Sequence, residues 1–365
     1  MNAATRILSK SWPLTFALAL GASSMGCGGS SAVTIVITES ELSGTVMWNG
    51  TYEIRNSLTI RGPLTLAPCT RVRVAADVTI SVRDRGSIRA LGTAACPVQF
   101  ESANPTPSAG DWGRIDIYSS ASNDTLFQHT RISHGNGGTY GVVWVEDRAT
   151  VGMDNVRFVQ SRNRSIQVEA EGRVSTFANV SFESVDGELM KVPPVVIASL
   201  SPVTTVTTTN PRIVLDGSTM TGAAMWRNLG VSLEIPTTAI EAGAVEIAAG
   251  SVLRMLPEAV ITVRNRGALR MLGTATQPVV IESAKATQAP GDWRRIDFTS
   301  TSESTNLLRN TTVRHGGDST YGVLWVDTGA TLALESTTLS MNSSCDVGGE
   351  GTVNMTTSMF MRCAR

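Results

Sequence analysis

The sequence predicts an all-β protein in which one long module occurs twice in tandem. The chain is rich in Thr, Val, Ser, Gly and Ala, and aromatic residues make up 5% of it, which favours pleated strands and tight turns. Apolar and polar residues alternate over short runs such as Arg71–Val74 and Val78–Val82, without helical periodicity. A repeat covers nearly everything after the first three dozen residues, and it defines the modules.

The repeat keeps one constant spacing over most of its length. Gly110–Asp116 returns as Gly291–Asp297, and Thr139–Val145 returns as Thr320–Val326. Upstream, Met47–Trp48 returns as Met225–Trp226 at a slightly shorter spacing, so a three-residue insertion separates the two blocks. We therefore place the first module at residues 34–191 and the second at 212–365. The segment between them, 192–211, is rich in Pro, Thr and Ser and is predicted to be a linker or a module junction.

Residues 1–27 read as an export signal. Arg6 and Lys10 precede the apolar stretch Pro13–Ala22, which is too short to span a membrane and is followed by small residues. Ser24–Cys27 resembles the lipobox of bacterial lipoproteins, in which the cysteine carries the lipid after cleavage. The resemblance implies lipidation at Cys27, a flexible tether at 28–33 and a place in the cell envelope, most simply the bacterial outer membrane. The alternative is ordinary cleavage near Gly26, which would leave a soluble secreted protein.

Short strands with short breaks and no helices can pack as a sandwich, a propeller or a solenoid, and spacing alone leaves all three open. A resemblance separates them. Five segments, in order, are similar to exported bacterial proteins with a right-handed parallel β-helix, the pectin-lyase-like fold. These segments are Trp48–Thr51, Leu64–Pro68, Gly86–Thr93, Cys96–Ser102 and Gly110–Gly113. The resemblance implies an all-β, right-handed parallel β-helix made of two tandem duplicated modules, but no particular function.

Four cysteines remain in a compartment that permits disulfides, and they allow three connectivities. Cys69 and Cys96 are present together in the first copy and absent together from the second, whereas Cys345 and Cys363 show the reverse pattern. Cysteines that are present together in one copy and absent together from the other are expected to bond to each other. We therefore predict the bonds Cys69–Cys96 and Cys345–Cys363, each between adjacent coils.

Candidate catalytic residues are few. Asp116 and Asp297 occupy matched positions and point outward if their apolar neighbours point inward, on the same face as Arg114 and Arg295. Such a pair could bind a sugar or a calcium ion, but a solvated strand face with an exposed ion pair is the preferred interpretation. His134 and His315 also match, each before a glycine, and faintly resemble the Gly-His-Gly of galacturonases. The other motifs of that family are missing from the chain, so we favour a structural role for both histidines.

Four tryptophans could stack on sugar rings or pack structurally, and packing is preferred: Trp112, Trp144, Trp293 and Trp325. Asp111 and Asp292, which precede two of them, are predicted to be turn residues.

A formal net charge of -1 without like-charge runs argues against nucleic acid as a partner. No pair of cysteines has metal-ligand spacing with histidine, and no cofactor motif occurs, so we expect neither a metal nor a cofactor. The predicted role is non-enzymatic: a lipid-anchored surface scaffold or adhesive module for a glycan or an envelope protein. The alternative is a carbohydrate-active enzyme, a polysaccharide lyase or glycoside hydrolase of the pectin-lyase-like fold. The matched polar candidates favour the first, because an enzyme normally needs one asymmetric cluster.

Overall fold

A computed structural model describes residues 33–136, 138–318, 320–343, 345–358 and 360–363. In this part the chain forms a parallel β-solenoid of about 13 turns, which confirms the predicted all-β fold class. The export signal, Cys27 and all of the tether except Val33 lie outside the described residues. None of the helices in the described part is long and apolar enough to cross a membrane.

The strands are short and follow one another around the coils. In the first copy they are β1 (Thr34–Ile37), β2 (Glu41–Leu42), β3 (Val46–Trp48), β4 (Thr51–Ile54), β5 (Leu58–Ile60), β6 (Pro63–Leu66), β7 (Arg71–Val74), β8 (Ile80–Val82), β9 (Ser87–Leu91), β10 (Val98–Ser102), β11 (Ile115–Ile117), β12 (Leu126–Ser133), β13 (Val143–Val145), β14 (Thr150–Val159), β15 (Arg162–Val168), β16 (Arg173–Ala178), β17 (Ser181–Glu183) and β18 (Asp186–Val192). A 3₁₀ helix (Pro194–Ser199) and β19 (Thr204–Val206) follow. In the second copy they are β20 (Arg212–Leu215), β21 (Met220–Thr221), β22 (Ala224–Trp226), β23 (Ser232–Ile235), β24 (Thr238–Glu241), β25 (Ala244–Ala248), β26 (Val252–Met255), β27 (Val260–Val263), β28 (Ala268–Leu272), β29 (Val279–Ser283), β30 (Arg295–Phe298), β31 (Asn306–Arg309), β32 (Thr311–Arg314), β33 (Leu324–Val326), β34 (Thr331–Glu335), β35 (Thr338–Ser340), β36 (Val347–Gly348) and β37 (Thr352–Thr356).

The strands stack into parallel sheets, one strand per coil. Within the described residues, a continuous sheet of 13 strands runs through both copies, in the order β2-β5-β8-β11-β13-β15-β18-β20-β23-β26-β29-β32-β35. A branched sheet of 12 strands forms the other two sides of the first copy. In the second copy these sides are two six-stranded sheets, the β21 sheet (β21-β24-β27-β30-β33-β36) and the β22 sheet (β22-β25-β28-β31-β34-β37).

Columns of residues with positive φ turn the chain at the corners. One column contains His129 (φ 43°), Asn155 (φ 55°) and Asn179 (φ 53°), and Asn310 (φ 42°) occupies the same corner of the second copy. Asn and His tolerate the left-handed region better than bulky side chains do. Since His129 lies inside β12 and Asn155 inside β14, these long strands bend around the corner and join two sides of the first copy into the branched sheet.

The core is a stack of inward-facing aliphatic side chains. On the continuous sheet, one ladder in direct register passes through both copies without interruption, and every member is at least nine-tenths buried. Its members are Leu58, Ile80, Ile115, Val143, Ile166, Met190, Ile213, Leu233, Leu253, Ile281, Val313 and Leu339. Alternation buries every second residue of a strand, which leaves the polar positions on the outer surface.

The segment 192–211 is part of the solenoid wall rather than a free linker. Val196 and Ile197 of the 3₁₀ helix are buried, and the helix packs between β16 and β22. The next strand, β19, pairs in parallel with β17 of the preceding coil. The chain therefore passes from one copy to the other without leaving the stack.

The second copy is turned by one side relative to the first. Strands β7 and β26 are equivalent by the sequence repeat, yet β7 lies in the branched sheet and β26 in the continuous sheet. Likewise β11 lies in the continuous sheet, whereas its equivalent β30 lies in the β21 sheet. Matched residues of the two copies consequently face different directions around the solenoid axis.

Candidate functional site

Two equivalent clusters lie on the outer surface, one in each copy. In the Asp116 cluster (Arg114, Asp116, Tyr140 and Trp144), Arg114 Nε donates to Asp116 Oδ1 at 2.7 Å. The Arg114 guanidinium also lies 5.1 Å from the centre of the Tyr140 ring. Asp116 and Trp144 are direct neighbours in the register between β11 and β13, and the Tyr140 and Trp144 ring centroids are 4.7 Å apart.

Tyr118 closes the other side of the Asp116 cluster. Its ring meets that of Trp144 edge to face at 5.7 Å, and Arg83 lies 4.1 Å above it. The Trp144 indole donates to Glu169 Oε1, on the following coil, at 2.8 Å. The indole is therefore held by a carboxylate of the following coil, whereas Asp116 is paired with an arginine of its own coil.

The Asp297 cluster (Arg295, Asp297, Asp318, Tyr321 and Trp325) repeats this arrangement on the β21 sheet. Arg295 Nε donates to Asp297 Oδ1 at 2.6 Å, and Arg295 Nη1 donates to Asp318 Oδ2 at 2.9 Å. Arg295 lies 4.4 Å above the Tyr321 ring, whose centroid is 4.9 Å from that of Trp325. The arginine thus bridges two carboxylates while it covers an aromatic face.

The alternation of apolar and polar residues correctly predicted that both aspartates point away from the core, since their neighbours in β11 and β30 are fully buried. The expected solvated face is wrong for Asp116, because its side chain is only 2% exposed beneath Arg114 and the aromatic rings. Asp297 is 16% exposed. Burial raises the pKa of both carboxyls above the ordinary value, although the adjacent arginine opposes this by hydrogen bonding and charge.

Tyr140 and Tyr321 are the exposed members of the clusters, at 37% and 38%, while Trp144 and Trp325 are half-buried. Each cluster therefore offers an aromatic and cationic surface on a flat sheet, with its carboxyl beneath. Sequence reasoning missed both tyrosines. The signal was present, because each lies in the repeated segment that also supplies the tryptophan, shortly before the strand begins.

His134 and His315 are corner residues, with φ of 65° and 66°. His134 Nε2 lies 3.0 Å from Gln160 Oε1, the equivalent corner residue of the next coil. The carbonyls of His134 and His315 accept backbone N–H groups of Gly110 and Asp292, respectively. Burial lowers the pKa of His315, and the charge of Arg314 lowers it further. The structure does not bring either histidine into the aspartate clusters.

Trp112 and Trp293 are fully buried, and each indole donates to a strand carbonyl, that of Ser133 at 2.7 Å and that of Arg314 at 3.0 Å. This confirms packing for these two tryptophans. Asp111 accepts the backbone N–H of Ser108, and Asp292 accepts that of Ala289, both at 2.8 Å, as turn residues do.

Both predicted disulfides are present. Cys69 bonds to Cys96 and Cys345 bonds to Cys363, with Cα atoms 4.6 and 5.0 Å apart. Cys69 N–H also donates to the Cys96 carbonyl, which joins the two coils at this corner. In the described ranges, no group of three or more His, Cys, Asp and Glu side chains is placed to hold a metal ion.

Comparison with known proteins gives no relative: no protein-family model, no curated protein and no solved structure matches this chain.

Proposed function

We propose that this chain is a non-enzymatic, envelope-anchored β-solenoid lipoprotein of the pectin-lyase-like kind, acting as a surface scaffold or adhesive module. One observation carries the proposal. In both copies the candidate carboxyl is paired with an arginine and covered, while a tyrosine and a tryptophan form the accessible surface. Aromatic faces beside a guanidinium suit the contacts that a sugar ring makes, so a glycan partner is favoured over a protein partner.

A carbohydrate-active enzyme is the second candidate. The raised pKa values of Asp116 and Asp297 favour it, because perturbed carboxyls are suited to donating a proton. Against it, the two aspartates lie on different sides of the solenoid, so they do not form one pair of acid and base.

The test is a glycan array with the mature protein, run beside an assay for unsaturated products from acidic polysaccharides. We expect binding without turnover. Tyr140→Ala and Tyr321→Ala should each weaken binding, and the double variant should abolish it. Met355→Ala removes another exposed side chain, 61% exposed on β37, and should leave binding unchanged. Product release that disappears in Asp116→Asn would overturn the proposal in favour of a lyase.

Fractionation of cells that express the full chain tests the anchor. We expect the wild-type protein in the membrane fraction and Cys27→Ser in the soluble fraction, because lipid would be attached to that cysteine. A wild-type protein found in the soluble fraction would contradict anchoring without affecting the glycan result.

A further inference from the structure

Positions that differ between the copies identify a second surface. A cleft of about 310 Å³ lies on the branched sheet of the first copy, and we call it the arginine cleft. Its floor is made of polar or cationic residues, namely Gln99, His129, Arg131, Asn155 and Arg157. Its wall is the turn before β10, which contributes Thr93, Ala94 and Pro97.

The floor is built by three neighbouring coils. Gln99 of β10, Arg131 of β12 and Arg157 of β14 are outward-facing and in direct register, so their Cα atoms follow one another at about 4.8 Å. His129 and Asn155 are the positive-φ corner residues beside them. The bent strands thus bring donors from two sides of the solenoid toward one point.

The central arginine, Arg131, has no ion-pair partner in the described part of the chain. Arg157 pairs with Glu183, and Arg71, further along the same column, pairs with Glu101. Among the described residues, the side chains of Arg131, Gln99 and His129 form no ion pair or hydrogen bond. Arg131 is nevertheless half-buried between its neighbours, which makes its uncompensated charge more effective than that of a fully exposed arginine.

The second copy provides an internal comparison. The wall is kept there as Thr274, Ala275 and Pro278, but every floor residue is changed. The equivalents of Gln99, His129, Arg131, Asn155 and Arg157 are Val280, Asn310, Thr312, Ser336 and Thr338. The cationic charge of that sheet lies in the neighbouring column instead, where Glu282 pairs with both Arg254 and Arg314. The second copy forms the same coils with the wall residues kept and the floor residues changed. The fold therefore does not require the basic floor.

We propose that the arginine cleft binds a tetrahedral oxyanion, the phosphate or sulfate ester of an extended ligand. Gln99, Arg131 and Arg157 follow one another along the floor and His129 lies beside them, so donors from three coils face the several oxygens of one tetrahedral anion. A planar carboxylate has only two oxygens and would leave more of these donors without an acceptor. That the ester is carried by a glycan rests on the proposed function, whereas the oxyanion site does not.

Titration calorimetry with a hexose phosphate, a hexose sulfate, a hexuronate and the neutral hexose tests the site. We expect one of the two esters to bind, the hexuronate to bind more weakly and the neutral hexose not to bind. The ester that binds more tightly shows whether the natural ligand carries phosphate or sulfate. Arg131→Gln should weaken ester binding by about tenfold or more, because a charge-assisted contact is lost, and Arg131→Lys should lose less.

Two controls alter residues outside the cleft. Thr312→Gln changes the equivalent position of the second copy, and Arg148→Gln removes an exposed arginine that pairs with Glu171. Both should bind the ester as the wild type does. If Arg131→Gln and Arg148→Gln weaken ester binding equally, the effect comes from net charge alone and the proposal is wrong. Hexuronate binding as tight as ester binding would also overturn it. Ester binding with an empty glycan array would support the site while contradicting the glycan role.

Discussion

At the residue scale, the notable group is a carboxyl that points outward and is still buried. Ile115 and Ile117 face the core, so Asp116 must face away from it. It is then covered by Arg114, which directly precedes its strand, and by Trp144 from the following coil. Charged groups are stable in such places only when paired, and the arginine supplies the pairing.

The raised pKa of Asp116 predicts a particular pH dependence of stability. Because the folded carboxyl binds a proton more tightly than the unfolded one, this group stabilises the fold increasingly as pH falls through its raised pKa. Asp116→Asn cannot take up that proton. We therefore expect the difference in Tm, wild type minus variant, to increase as pH is lowered from 7 toward about 4.

Groups with a lowered pKa, such as Asp111 and Glu282, act in the opposite direction but are identical in both proteins, so they cancel in the difference. Calorimetry at several pH values gives the measurement. A difference that stays constant or decreases toward acid would contradict the burial of this carboxyl.

Sequence reasoning located the aspartates and their arginines but not their burial. Alternation defines which way a side chain points along one strand. Whether Asp116 is covered depends on the rings of Tyr118, which follows the end of β11, and of Trp144, which lies in β13 on the next coil. The chain between those two rings includes turns of irregular length, so no simple period reveals that they meet.

At the element scale, the corner that carries Cys69 and Cys96 has a close counterpart in the second copy. Gly250 N–H donates to the Gln277 carbonyl at 3.1 Å, the same bond and length as between Cys69 and Cys96. Cys69 has φ of 68°, and Gly250 has φ of 76°. A Cβ at position 250 would lie 3.8 Å from the Cβ of Gln277, which is the usual separation across a disulfide.

Gly250→Cys combined with Gln277→Cys should therefore form a third disulfide. The new loop would equal that of Cys69–Cys96, which has a sequence separation of 27. Closing a loop of this size stabilises the folded protein by about 3 kcal/mol through the entropy of the unfolded chain. The gain is reduced because a cysteine at position 250 must adopt a left-handed backbone conformation and because the Asn228 side chain must shift. A non-reduced peptide map and thermal unfolding with and without reductant check it, with each single variant as control. Two free thiols at these positions in oxidised protein would contradict the match between the corners.

The cysteine pairs could be predicted because the duplication acts as a comparison within one chain. Partners that appear and vanish together lie on adjacent coils, and the structure places them there. The parallel solenoid itself needed the resemblance, since alternation is equally compatible with a sandwich.

At the scale of the whole molecule, the copies form one stack. The aliphatic ladder of the continuous sheet crosses from Met190 to Ile213 without a gap, and the 3₁₀ helix packs between β16 of the first copy and β22 of the second. In a solenoid, stability comes from contacts between neighbouring coils, so the junction couples the two halves.

Ile197→Ala should consequently destabilise both copies together. This side chain is fully buried in the 3₁₀ helix, and its truncation costs about 2–5 kcal/mol. We expect one unfolding transition in the wild type and one, at lower temperature, in the variant. Ile35→Ala, at a position 47% exposed on β1, is the control and should have little effect. A variant in which the second copy melts separately at the wild-type temperature would show that the junction does not couple them.

The relative turn of the copies could not be predicted from the repeat. Equivalent sequences specify equivalent coils. The side of the solenoid on which the second copy begins depends instead on how many sides the chain passes between β18 and β20, which are neighbours in the continuous sheet. Residues 192–211 supply a helix and a strand there, and their paths follow from packing rather than from any repeated motif.

Under the proposed function, this turn would determine how many ligand chains the molecule can bind at once. The Asp116 cluster is on the continuous sheet and the Asp297 cluster is on the β21 sheet, so one straight ligand lying against a single sheet cannot contact both. Two binding surfaces on one sheet would give avidity for a single long chain. Under the proposed function, surfaces that diverge around the axis would instead engage separate glycan chains, so the molecule would cross-link two chains rather than bind one more tightly.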